Sequence, residues 1–183
     1  MVNNDILIRL RYALNITDLK LVELFELAGM PLSAEALRPL FLKEDEEGYR
    51  ECDGPTLGAF LEGLVISRRG MKEGAPSAGP VGAANSAAPG AAPASAANSA
   101  AKSAAAKPAW ARQPSNNDVL KAVRIALQLR EEDIVAILRS VDVDASKSEI
   151  NALFRRKDQE NFRLCGDQFL RNFLAGVTKK YRV

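Results

Sequence analysis

The residue types most able to do chemistry fall in one pattern that occurs twice. Lys43, Asp45, Glu47, Tyr49, Arg50 and Cys52 share their order and spacing with Arg156, Asp158, Glu160, Phe162, Arg163 and Cys165. Two carboxylates two residues apart could hold a hard cation or divide acid and base roles, and the arginine could fork onto an anion. The plainer reading is a turn between helices whose side chains cap orphan amides and pair locally, and a duplicated turn would carry the same residues twice. An EF-hand is excluded, since its oxygen ligands alternate around a central glycine and close on a bidentate glutamate.

Cys52 and Cys165 sit just ahead of a helical pattern, where a thiol can have a depressed pKa and react. A cysteine there is more often a small buried filler. Two cysteines build neither a four-thiolate zinc site nor a disulfide framework, and the absence of histidine from all 183 residues removes imidazole bases and His-containing metal sites. With no glycine-rich phosphate loop and no Gly-x-Ser-x-Gly, the sequence predicts a non-enzyme without cofactor or metal.

Nucleic acid is the sharpest alternative partner. A turn over Gly29–Leu32 separates two helical patterns at helix-turn-helix spacing, and the second copy continues past Phe154 into Arg155, Arg156 and Lys157. The first copy carries Glu44, Asp45, Glu46 and Glu47 at the matching end, which a phosphate backbone repels, so such binding would rest on the second copy.

These residues are positioned by a tandem duplication. At a constant offset of 113, residues 3–70 align with 116–183 without a gap and share 20 of 68 identities. Among the identical pairs are Asn4/Asn117, Arg11/Arg124, Phe41/Phe154, Cys52/Cys165 and Gly63/Gly176. Between the copies, 34 of the 45 residues from 71 to 115 are Ala, Pro, Ser or Gly, a composition with almost nothing to bury. The expected organisation is a first repeat over 1–70, a disordered linker over 71–115 and a second repeat over 116–183. Such a linker spans on the order of 35–40 Å and holds the lobes at roughly millimolar effective concentration.

Each repeat reads as about four short helices, and with no alternating strand pattern the class is all-α. The first helix is expected from an Asn4 or Asn117 cap, with Leu7, Leu10 and Leu14 on one face. The second begins near Thr17 and stops at Gly29; the third begins at Ser33, or at the capping box Ser146 to Glu149. The fourth places Pro55 in its first turn and buries Leu57, Phe60, Leu61 and Leu64.

Charge separates the copies. The first holds 8 Lys/Arg against 12 Asp/Glu and the second 13 against 10, so the overall +2 hides an acidic lobe and a basic one. Opposite fields favour docking of the lobes within a chain or pairing between chains, a homo-oligomer. The polar residues kept in both copies, Arg11, Arg124, Asp45, Glu47, Arg50, Asp158, Glu160 and Arg163, are the candidate interaction residues. No run of about 18 apolar residues and no basic helix with a Trp/Phe face points to a membrane, and the polar start at Met1–Asp5 lacks the pattern of a secretory signal. Two thiols in such a chain predict a cytoplasmic protein.

The opening Asn3-Asn-Asp-Ile-Leu, the segment Lys43 to Tyr49, Cys52, Phe60-Leu-Glu-Gly-Leu64 with Arg68-Arg69-Gly70, and Asn161-Phe-Arg-Leu-Cys165 in the second copy resemble the YehS-type family of small bacterial proteins. The resemblance covers both repeats and implies a bacterial, cytoplasmic, helical tandem repeat; the family supplies no catalytic residues to carry over. The inflated Ala/Pro linker departs from the family's pattern. The function expected is a macromolecular interaction module working through its paired repeats.

Overall fold

The structure is a computed structural model that describes residues 1–70 and 112–182. The linker expected over 71–115 therefore lies, as far as residue 111, outside the described residues. Within the described residues there are eight α-helices and no strand. The first repeat holds α1 (Asn3–Ala13), α2 (Asp18–Leu27), α3 (Ala34–Leu37) and α4 (Gly54–Arg69); the second holds α5 (Asn116–Ala126), α6 (Glu131–Arg139), α7 (Lys147–Phe154) and α8 (Asp167–Tyr181).

Local chemistry sets the boundaries. Thr17, Ser33 and Asp53 cap α2, α3 and α4 by accepting from the amides of Lys20, Ala36 and Thr56. Ser146 and Glu149 form the expected reciprocal capping box on α7, and Ser115 and Asp118 form one on α5. The third element differs between the copies: α7 is regular, whereas α3 passes into a 3₁₀ turn over Arg38–Phe41, because Pro39 brings no N–H to an α-helical ladder. The chain turns with positive φ at matching places, Asn15/Gln128, Gly29/Asp142 and Gly48/Asn161. Turn geometry has thus outlasted residue identity.

Within each repeat the second helix crosses the fourth at a glycine. A Cβ at Gly63 would stand 2.6 Å from the Leu24 carbonyl carbon, and one at Gly176 would stand 2.6 Å from Ile137 Cγ2. Only a glycine lets these backbones approach so closely. Phe25 packs on Phe60 beside the first of these crossings, ring centroids 6.2 Å apart.

Between repeats, α1 packs along α8 and α4 along α5, each first helix lying more extensively on the other repeat's fourth helix than on its own. Both seams are parallel. Met1 meets Asp167 at the starts of α1 and α8 while Arg182 meets Tyr12 at their ends; Gly58 and Leu61 lie with Pro114 and Asp118, and Arg69 with Ile125 and Gln128. One apolar core, from Ile6 and Leu7 through Leu57 and Phe60 to Val119, Phe173 and Val177, runs through both repeats. The ion pairs among the described residues lie within a repeat or its flanking residues, apart from the Met1 amino group with Asp167. The opposite net charges of the lobes are therefore not met by side-chain ion pairs across the seams; apolar burial and shape hold them.

Candidate functional site

The duplicated constellation is a turn, and its organiser is a residue the spacing placed elsewhere. Asn4 and Asn117 do not cap the first helices, which begin one residue earlier behind Val2 and Ser115. Asn4 Nδ2 instead donates to the carbonyls of Leu40 (3.0 Å) and Arg50 (2.9 Å), and its Oδ1 accepts from the Cys52 amide at 2.8 Å. Asn117 makes the same three bonds, to Leu153 (2.8 Å), Arg163 (2.9 Å) and Cys165 (2.9 Å). An amide side chain supplies both donors and an acceptor on one plane, so one residue closes the whole segment between the third and fourth helices. Asn4 is 3% exposed, the one buried polar side chain among the described residues. Its identity in both copies was the signal, but a position near a helix start suggested capping instead.

Inside that clasp the turn closes on itself. The Lys43 amide donates to Glu46 Oε2 (2.9 Å) and the Arg156 amide to Gln159 Oε1 (3.0 Å), an acceptor at the same place in each copy despite different residues. The Arg50 and Arg163 amides reach back to the carbonyls of Pro39 and Ala152, both at 3.1 Å. Asp45, Glu47, Asp158 and Glu160 all point to solvent. The carboxylates are not gathered on one point, and among the described residues no three Asp, Glu or Cys side chains are placed to hold a metal ion. Arg163 pairs with Glu149 at 2.8 Å. The Ser146 amide, followed by that pair, draws the Glu149 carboxyl below its usual range.

Arg11 and Arg124 also have matching places. Each guanidinium lies over a ring, Phe41 at 4.5 Å and Phe154 at 4.4 Å, and each Nε donates to the carbonyl that ends the following turn, Ile16 or Leu129, at 3.3 Å. Arg11 adds Asp18. Arg155 donates to the Glu160 carbonyl at 2.7 Å, while the side chains of Arg156 and Lys157 are exposed. On the outer face of α7, Lys147 is paired with Glu132 (2.8 Å) and Asn151 bonds Glu131 (3.2 Å). The acids of α6's first turn thus stand beside the face a recognition helix would present to phosphate.

Burial pushes the Cys52 thiol up to about 12 and the Cys165 thiol up to about 11, so both are protonated at neutral pH. They are buried and free, each behind its asparagine clasp, and fill space rather than react.

A surface that spacing did not single out lies at the end of the α1–α8 seam. The Arg182 guanidinium stacks 3.4 Å over the Tyr12 ring and donates to the Tyr12 carbonyl at 3.1 Å. Tyr12, with Ile8 one turn before it, and Tyr181, next to Arg182 in the chain, remain 54%, 37% and 40% exposed, so both repeats contribute exposed apolar and aromatic side chains at this end of the seam.

No helix among the described residues is long and apolar enough to cross a membrane. No solved structure matches the chain. Over its whole length it is 36% identical to the "Uncharacterized protein YehS" of Escherichia coli (strain K12), covering 98% of that protein. The sequence profile described as "Protein of unknown function (DUF1456)" matches twice, at residues 3–70 and 116–182. Two matches at the two repeats, together with full-length similarity, place this chain in the DUF1456 family.

Proposed function

We propose that this chain is a non-enzymatic, cytoplasmic bacterial protein that binds another protein through the surface where its two repeats meet. The observation that supports it is the patch of Ile8, Tyr12, Tyr181 and Arg182, exposed aromatics and an arginine contributed by both repeats. Tyrosine and arginine carry a disproportionate share of binding energy at protein interfaces, and this patch exists only while the repeats are paired. The carboxylates of the duplicated turns, Asp45, Glu47, Asp158 and Glu160, stand dispersed in solvent, and the thiols are buried, which leaves little for catalysis.

The test is capture from a bacterial lysate on the full chain and on a Tyr12→Ala, Tyr181→Ala variant, each with and without nuclease. A protein retained after nuclease and lost with the variant supports the reading. Capture that needs nucleic acid, and that falls when Arg155, Arg156 and Lys157 are replaced, favours the nucleic-acid alternative. Retention unchanged by the tyrosine substitutions overturns the proposed surface.

A further inference from the structure

The duplication gives the molecule two equivalent seam ends, and they have diverged. At the end of the α1–α8 seam stand Arg11, Tyr12, Asn15, Ile16 and Arg182; at the end of the α4–α5 seam the same positions hold Arg124, Ile125, Gln128, Leu129 and Arg69. The first end is satisfied from within. Arg182 lies on Tyr12, and Arg11 is neutralised by Asp18 at 2.5 Å.

At the second end each of these partners is missing. Ile125 offers no ring for Arg69, which makes no hydrogen bond or ion pair among the described residues. Glu131 stands where Asp18 does, but accepts from Asn151 rather than from Arg124. Arg124 is oriented by the Phe154 ring and bonds Leu129 through Nε alone, which leaves its two terminal amino groups for a ligand. Arg69 and Arg124 therefore both line a cleft of about 430 Å³ with Gln128 and an apolar wall of Ile125 and Leu129, and no carboxylate of the described residues lines it. Serving a helix C-terminus would account for the Arg124 Nε bond, but not for a second arginine, Arg69, lining the same space.

We propose that this cleft binds a phosphate dianion, free or carried as a phosphomonoester on a small apolar group. Two guanidiniums without a counter-charge call for two negative charges, and their planar forks match the oxygens of a phosphate; Arg124 is already held in place by its ring, so little freedom is lost on binding. A phosphodiester carries one charge per phosphate and satisfies the pair less well. The apolar wall would receive the ester's carbon. The site is distinct from the aromatic patch proposed above, which lies on the other seam.

The test is titration of the full chain with inorganic phosphate, phenyl phosphate, acetate and a short DNA duplex, followed by the arginine Nε–H resonances in low salt at about pH 8, where phosphate is a dianion. The expected result is saturable phosphate binding, tighter for phenyl phosphate, and about tenfold or more weaker for acetate and for the Arg69→Gln variant. Arg182→Gln, at the other seam end, should change affinity less than about twofold, and Ile125→Tyr, which restores the ring that covers Arg69's counterpart, should also weaken binding. No saturation by phosphate, equal weakening by Arg69→Gln and Arg182→Gln, or binding of the duplex alone would each overturn the assignment.

Discussion

Replacing Asn4 with alanine tests the clasp directly, because the bonds it removes can be counted. The side chain makes three, at 3.0, 2.9 and 2.8 Å, to Leu40, Arg50 and Cys52, and it is 3% exposed. A hydrogen bond contributes about 0.5–1.5 kcal/mol net, and partners left buried without water cost more, so the loss should be roughly 3–4 kcal/mol. In a chain of this size that is a fall in melting temperature of roughly 6–16 °C. Asn117 makes the equivalent bonds but is only half-buried, and water can reach its abandoned partners, so Asn117→Ala should cost roughly half as much. Urea unfolding followed by far-ultraviolet circular dichroism measures both, with the exposed Glu47→Ala expected to be near neutral. The reasoning is refuted if Asn4→Ala lies within about 1 kcal/mol of the parent, or if the two asparagine variants reverse their order.

Gly63→Ala and Gly176→Ala should each destabilise by about 1–3 kcal/mol or more, because the added methyl meets a neighbouring helix, while Gly166→Ala, with nothing within 4 Å of its Cβ, serves as a tolerant control in the same denaturation series. Stability should fall on acidification. Burial raises the Asp118 carboxyl, but the Ser115 amide and hydroxyl and Arg112 more than offset it, and Asp133, Glu149 and Asp167 are also held low by their hydrogen bonds and cations. A carboxyl whose folded pKa lies below its unfolded value of about 4 contributes in full above that value and loses its contribution as pH drops through the folded one. Melting temperature recorded from pH 7 downward should therefore decline below about pH 5, and Asp118→Asn should flatten the decline; a curve unchanged by that variant contradicts it. Neither thiol should react with iodoacetamide at neutral pH until urea unfolds the chain, and rapid native labelling, read by mass spectrometry, would contradict the burial of Cys52 and Cys165.

The duplication, the helical class and most helix starts were legible because they rest on local chemistry. The capping box at Ser146, the stop at Gly29 and the apolar stripe on α4 are set by residues within a turn or two of one another. The asparagine clasp was only half legible. Asn4 and Asn117 stood out as identical, yet their partners lie 36 to 48 residues away, beyond the reach of any periodicity. Glu46 and Gln159 were passed over for the opposite reason: the turn needs a carbonyl-type acceptor rather than one residue, so the copies diverged in identity while keeping the bond.

Sequence by itself determined that this protein is two copies of one helical unit, because repetition and amphipathic period are properties of order along the chain. It also pointed to oppositely charged lobes, but net charge has no direction and does not say which surfaces meet. Tertiary structure decided that each first helix lies on the other repeat's fourth, that the duplicated polar residues serve mainly to close turns, and that at one seam end an arginine stacks on a tyrosine while at the other its counterpart lines a cleft without that ring. Those outcomes depend on the presence of an aromatic ring at residue 12 and its absence at 125, and on whether an acid one helix away reaches an arginine. Such differences amount to a few ångströms between residues far apart in the chain, and spacing along the chain does not encode them.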